Sequence, residues 1–147
     1  MPQTPPLATI GYEAATLTDV IGRLKGARVN LLIDVRAIAA SRRPGFSKTM
    51  FAASLAEVGI DYLHLRALGT PKAGREAARA GRTQEMREIY EAHLEEPDAQ
   101  TQLVQATQAS ERRRTALLCY EADAARCHRR IVAERISAVT GAEVTDL

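Results

Sequence analysis

The chain has no tryptophan, two phenylalanines and four tyrosines. Few aromatic platforms are therefore on hand for stacking along a nucleic-acid strand. Cysteine is equally scarce: two residues in 147 exclude a disulfide framework of the kind that supports small secreted domains. A cytosolic, reduced setting is expected on that ground. No apolar run approaches the roughly 20 residues that span a bilayer, so no membrane role is expected. The opening Met1-Pro2-Gln3-Thr4-Pro5-Pro6 has neither a basic region nor an apolar signal core, and export is not expected. Acid is missing altogether between Arg36 and Ala56, a stretch that carries Arg36, Arg42, Arg43 and Lys48.

What is present describes an ordinary globular chain. At 46% hydrophobic and 26% charged residues it is neither disordered nor fibrous, and its length fits one domain over residues 1–147. The net charge of +2 conceals a segregation. Arg66, Lys72, Arg75, Arg79 and Arg82 face one acid, Glu76, after which Glu85, Glu88, Glu91, Glu95, Glu96 and Asp98 face Arg87. Such blocks suit a local positive surface for an anionic ligand, or solvated loops and an internally paired helix.

Hydrophobic periodicity divides the chain into alternating elements. Leu7 to Ile10, Val29 to Val35, Ile60 to Leu65 and Thr115 to Cys119 read as strands, with Glu143 to Asp146 as a terminal one. Helical spacing joins Val20, Ile21 and Leu24 behind a Thr16 or Thr18 cap, then Phe51, Leu55 and Val58, then Ile131, Val132 and Ile136. One or two polar helices fill about 74–111, with Pro97 a natural break. This order predicts a single three-layer α/β/α domain around a mostly parallel sheet of about five strands.

In a parallel sheet the C-terminal strand ends share one edge, where α/β proteins place their ligands. Gly11-Tyr12-Glu13, Asp34-Val35-Arg36, His64 to Lys72 and Cys119 to Arg129 then converge from distant sequence. Thr9-Ile10-Gly11-Tyr12, Asp34-Val35-Arg36, Ser41-Arg42-Arg43-Pro44-Gly45-Phe46-Ser47, Leu68-Gly69, Cys119-Tyr120-Glu121 and Cys127-His128-Arg129 together resemble the DUF488 family of uncharacterised proteins. The resemblance runs in order along almost the whole chain. It implies a compact α/β domain whose shared polar residues line one site, and it brings no settled activity. Glu13 stands where a small hydroxyl residue is common, and Ala39-Ala40 where a proline is frequent.

The chemistry of the candidates can be weighed residue by residue. Asp34 and Arg36 project to one face of an extended strand. They suit a general base and an anion clamp, or a structural ion pair. Ser41, Arg42 and Arg43 beside Pro44-Gly45 form a donor-rich loop suited to phosphate oxygens. Phe46 reads as a plug of that loop against the core rather than a stacking surface. Cys127 and His128 open the last helix, with Asp123 a possible cap; Arg126, Arg129 and the helix N-terminus favour a thiolate at Cys127. Cys127 also shares a face with Ile131, and Cys119 ends an apolar strand, so both thiols can equally be packing. The order strand, Cys119, loop, Arg126, helix resembles a phosphatase loop, but six residues intervene, glycine is absent, and Glu121 and Asp123 would repel phosphate. Cys119, Cys127 and His128, with His64, match no standard zinc spacing, and neither metal nor cofactor is expected. His128 is expected to bond Asp34 or Glu121 instead. Glu121 is expected beside Asp34 as a second carboxylate for acid–base work, or as the neutraliser of Arg36 or Arg129.

The function these residues imply is an enzyme acting on a phosphate-bearing substrate, a nucleotide or nucleic acid. Asp34, Glu121, Cys127 and His128 would carry the chemistry, and Tyr12, Arg36, Ser41, Arg42 and Arg129 would bind. The alternative is a non-catalytic nucleotide or nucleic-acid binding module on the same basic surface. Oligomeric state is not legible.

Overall fold

A computed structural model describes residues 4–147. Its strands are β1 (Leu7–Gly11), β2 (Leu31–Asp34), β3 (Asp61–His64), β4 (Thr115–Cys119) and β5 (Val144–Asp146). Its helices are α1 (Leu17–Gly26), α2 (Lys48–Glu57), α3 (Lys72–Arg79), α4 (Thr83–Leu94), α5 (Pro97–Arg112) and α6 (His128–Thr140). All strand pairs are parallel, in the order β3-β2-β4-β1-β5.

The strand order dictates which face each helix covers. From β1 to β2 and on to β3 the chain moves one way across the sheet, and right-handed crossovers then put α1 and α2 on one face. From β3 to β4 and on to β5 it moves the other way, which puts α3 to α6 on the opposite face. The two cores follow this division. Ala8, Ile10, Leu32, Ala116 and Leu118 pack with Val20, Leu24, Phe51 and Leu55, whereas Leu31, Ile33, Leu117 and Cys119 pack with Tyr90, Leu94, Ile131 and Ile136. Strand alternation accounts for the split, and burial on both faces accounts for the nearly unbroken apolar runs of β2 and β4.

Local signals place most boundaries. Thr16 caps α1 in a reciprocal capping box with Asp19, and Gly141, at φ 75°, ends α6. Pro97 is the first residue of α5, where its missing N–H costs nothing. Three helices rather than one or two occupy the long connection. The extra break falls at Gly81, whose φ of 78° ends α3 within a short linker. Asp123 caps a separate 3-10 turn, Ala124–Arg126, and Cys127 is itself the N-cap of α6, its sulfur accepting from the Arg129 N–H at 3.5 Å.

Candidate functional site

The middle strand β4 leaves toward the face of α6, while its neighbours β1 and β2 leave toward the face of α1 and α2. Loops that part in opposite directions open a crevice at the strand ends, the usual ligand position of an open α/β sheet. A cavity of about 650 Å³ lies there. Tyr12 and Glu13 border it from β1, Arg36 from β2, Arg75 and Arg79 from α3, and Glu121, Asp123, Arg126, Cys127 and His128 from the segment after β4.

Arg36 forms the floor on one side. Its Nε lies 2.9 Å and 3.0 Å from the two Asp34 oxygens, and its Nη2 donates to Oδ2 at 2.7 Å. Nη1 turns to the Tyr12 hydroxyl at 3.0 Å and the Phe46 carbonyl at 2.8 Å. Tyr62 donates its hydroxyl proton to Asp34 at 2.5 Å. Burial opposes the Arg36 charge, yet the hydrogen bonds and charge of Asp34, helped by Tyr12, hold the guanidinium pKa above its ordinary value. Burial, then the bond to Asp34 and its negative charge, raises the Tyr62 hydroxyl likewise. Phe46 stacks on Tyr12 with ring centroids 4.3 Å apart and is buried, so it plugs the loop.

Asp34 itself is wholly buried and does not border the cavity. It shares the parity of Leu32 and points to the α1–α2 face, whereas Cys119 points to the other. The expected carboxylate pair of Asp34 and Glu121 therefore does not form, and Asp34 instead holds Arg36 in place. Ser41 and Arg42 also lie outside the cavity lining. The Ser41 Oγ accepts from the Arg43 N–H at 3.0 Å, and Arg43 reaches the carbonyls of Glu13 and Ala15. The donor-rich loop thus ties itself to the β1–α1 connection, and Arg42 remains exposed on its outside.

Across the cavity, Arg129 is fully buried and likewise absent from the lining. Its guanidinium donates to the carbonyls of Glu121 and Ala122 and lies 3.3 Å from the Cys119 sulfur. Its Nε has no partner among the described residues. Burial lowers its pKa, against the pull of Asp146, Glu121 and Asp123. Glu121 keeps its carboxyl at the cavity wall, 3.4 Å from the Cys119 sulfur, and burial raises its pKa. The Cys119 and Cys127 sulfurs are in direct contact across eight positions of sequence, with Cα atoms 7.4 Å apart, wider than an ordinary disulfide spans; the contact is not anticipated from composition.

His128 bonds neither Asp34 nor Glu121. Its Nε2 meets the Val35 carbonyl at 2.6 Å, a contact only a protonated nitrogen can make, so Nδ1 carries the lone pair. Nδ1 lies 3.6 Å from the Cys127 sulfur. The ligand atoms of Cys119, Cys127 and His128 all fall within 4.8 Å of one another. His64 is not in this cluster; its Nε2 meets the Arg36 carbonyl at 2.8 Å.

Burial lowers the His128 pKa from 6.5 to about 4, with Arg129 adding to the shift and the Val35 bond opposing it. Between those values the unfolded chain takes up a proton that the folded ring refuses. The contribution is therefore complete above pH 6.5 and is lost as pH falls toward 4. At about 1.4 kcal/mol per pH unit it amounts to roughly 3 kcal/mol. Urea midpoints at pH 7 and 4.5 should drop much more for the wild type than for His128→Gln; equal drops would show that other groups govern acid stability.

Arg75 and Arg79 are cavity residues that inspection of motifs did not single out, and Arg126, weighed there only as a neighbour of Cys127 and in a phosphatase-like order, borders the cavity with them. The only signal for Arg75 and Arg79 in the sequence is the run of basic charge from Arg66 to Arg82, and nothing in it marks which members turn inward.

Fold and site together define a parallel α/β domain with an arginine-bordered pocket at its topological switch point. The chain belongs to the family described as Domain of unknown function DUF488, whose model matches residues 16–136. The matched segment begins after the Thr9-Ile10-Gly11-Tyr12 element. Comparison with curated proteins gives no match, and comparison with solved structures gives none either. No helix among the described residues is long and apolar enough to cross a membrane.

Proposed function

We propose that the protein is an enzyme acting on a phosphate-bearing, nucleotide-sized substrate held in this cavity. The observation that carries the reading is the convergence of Arg36, Arg75, Arg79 and Arg126, from three separate segments, on one pocket of about 650 Å³. That volume suits a small molecule better than a polymer groove. Three carboxyls, Glu13, Glu121 and Asp123, border the same space. A substrate carrying only phosphate would be repelled by them, whereas a nucleotide can set its phosphate against the guanidiniums and its hydroxyl or amino groups against the carboxyls. Arg36, held rigid by Asp34, would be the fixed anion contact, with Tyr12 beside it. Arg75, whose Nη1 donates to the Thr70 carbonyl at 2.8 Å, and the exposed Arg79 add two more from α3. Glu121, the carboxyl on the β4 side of the wall, is the group available for acid–base work, with Cys127 and His128 adjoining.

The test is a melting-temperature screen of nucleosides against their mono- and diphosphates, repeated with the Arg75→Gln/Arg79→Gln double variant. Phosphorylated ligands should raise the melting temperature of the wild type, and the double variant should bind them at least about 10-fold more weakly, equivalent to about 1.4 kcal/mol. Equal stabilisation by nucleosides lacking phosphate would refute the anion assignment. Glu121→Gln should keep binding and lose turnover. A wild type that binds without turning over any phosphorylated ligand would favour the binding-module alternative. Steep loss of oligonucleotide affinity with salt would point to nucleic acid.

A further inference from the structure

The cavity wall carries a feature that phosphate binding does not use. Cys119 and Cys127 end β4 and cap α6, and His128 follows directly, all three buried and all bordering the pocket. We propose that the reduced Cys119 and Cys127, together with Nδ1 of His128, form a tetrahedral site for a divalent ion of the zinc class, with its fourth position open to the cavity.

Three independent observations support the site. The first is the imidazole. The Val35 carbonyl takes the Nε2 proton at 2.6 Å, which fixes the tautomer and leaves the Nδ1 lone pair beside the sulfurs. A histidine that donates its far nitrogen to a backbone carbonyl is the ordinary outer support of a metal ligand. The second is distance. With metal–sulfur and metal–nitrogen bonds of about 2.3 and 2.1 Å, a tetrahedral sulfur–nitrogen edge is about 3.6 Å, and Cys127 Sγ and His128 Nδ1 are 3.6 Å apart. The Cys119 and Cys127 Cα atoms are 7.4 Å apart, so rotation of the two side chains opens the sulfurs to the about 3.8 Å that such a site needs.

The third is the pair of Arg129 donors aimed at the sulfurs. Arg129 is a wholly buried cation that forms no ion pair with a carboxylate among the described residues, and it directs Nη1 at the Cys119 sulfur, while its backbone N–H points at the Cys127 sulfur. Metal-bound thiolates accept hydrogen bonds from both donors, and because the two thiolates cancel the charge of the divalent ion the site adds no net charge beside Arg129. The soft sulfur ligands favour zinc over magnesium or calcium, and two cysteines plus one histidine leave the fourth place for water or a ligand oxygen.

The site exists only in the dithiol state. Where the two cysteines are oxidised, a phosphine reductant opens the bond by taking oxygen from water: the phosphine becomes its oxide, and its two electrons with the two protons of water convert the disulfide to two thiols. Metal binding then displaces both thiol protons. The inference does not rest on the identity of the substrate, because metal binding is read without one.

The experiment titrates the full chain, reduced with a phosphine and freed of metal, with Co²⁺ and then Zn²⁺. One equivalent of Co²⁺ should produce sulfur-to-cobalt charge-transfer absorption with intense visible bands of tetrahedral cobalt, which Zn²⁺ abolishes. Zn²⁺ should also slow alkylation of both thiols at least 10-fold. Cys119→Ser and Cys127→Ser should each remove the charge-transfer band or reduce it by half, and His128→Ala should weaken binding by 10-fold or more. Reduced wild type that develops no charge-transfer band, and whose thiols alkylate equally fast with and without Zn²⁺, overturns the proposal; this comparison needs no variant to fold. Co²⁺ binding that persists in the oxidised protein, or in the double serine variant, overturns it as well.

Discussion

Asp34→Asn should lower the stability of this protein by about 3 kcal/mol, read as a shift in the urea midpoint at neutral pH. The carboxylate is wholly buried and accepts from the Arg36 backbone N–H, from Nε and Nη2 of the same residue, and from Tyr62. Removing one partner of such a pair leaves the other charge buried and uncompensated, which typically costs about 3–5 kcal/mol. The amide is nearly isosteric but places an NH₂ against a guanidinium or a tyrosine hydroxyl, so at least one contact becomes donor to donor. For a chain of this size the loss corresponds to a melting temperature lower by roughly 10 °C. The double variant Asp34→Asn/Arg36→Met should recover part of the loss, because it removes the stranded charge along with its partner. A loss below about 1 kcal/mol would show that Arg36 reaches solvent and that the pair is only a surface contact. Phosphate binding should also fall in Asp34→Asn although Asp34 does not border the cavity, since the residue acts by positioning Arg36.

The second large effect is expected from a single methyl group. Gly11 ends β1, directly beside Cys119 of β4, and a Cβ built on it would run into the Glu121 carbonyl and the Arg129 guanidinium. No positive φ is involved; the requirement is space for the β4–α6 segment to cross the strand end. Tyr12 and Glu13 donate their backbone N–H groups to the Tyr120 carbonyl, so that segment cannot retreat without breaking them. Gly11→Ala should therefore cost about 3 kcal/mol, the upper end of ordinary overpacking, and should displace Glu121 from the cavity wall. Gly22→Ala is the control. Its Cβ meets nothing within 4 Å in the middle of α1, and alanine there should stabilise by about 0.5–1 kcal/mol. Similar urea midpoints for the two variants would mean that the crossing segment gives way freely.

Much of the framework was legible because it depends on short-range patterning. The apolar runs of Leu31–Asp34 and Thr115–Cys119 mark strands covered on both faces, and the alternation of strands and helices implies parallel pairing. Thr16, Pro97 and Gly141 act through backbone chemistry that holds wherever the chain goes. The bond between Asp34 and Arg36 was also within reach, since residues two apart in a strand share a face. The roles assigned from sequence were harder. Asp34 and Arg129 read as ligand contacts because they are charged and belong to segments that leave strand ends, and Arg42 because it sits in a donor-rich loop. Nothing local reveals that Asp34 faces the α1–α2 layer, that Arg42 turns outward, or that Arg129 spends its donors on two carbonyls.

By itself, then, the sequence determined most of the elements, the parallel sheet, and the edge at which the cavity opens, because hydrophobic periodicity and capping are properties of a few adjacent residues. Only the tertiary structure decided the site's membership. The β3-β2-β4-β1-β5 order sets β4 between two strands that depart to the other face, and this opens the cavity. The same order lays Arg75 and Arg79 of α3 over that opening, opposite the segment that follows β4. Those encounters depend on long-range packing and on the direction of each crossover, and no window of neighbouring residues encodes either.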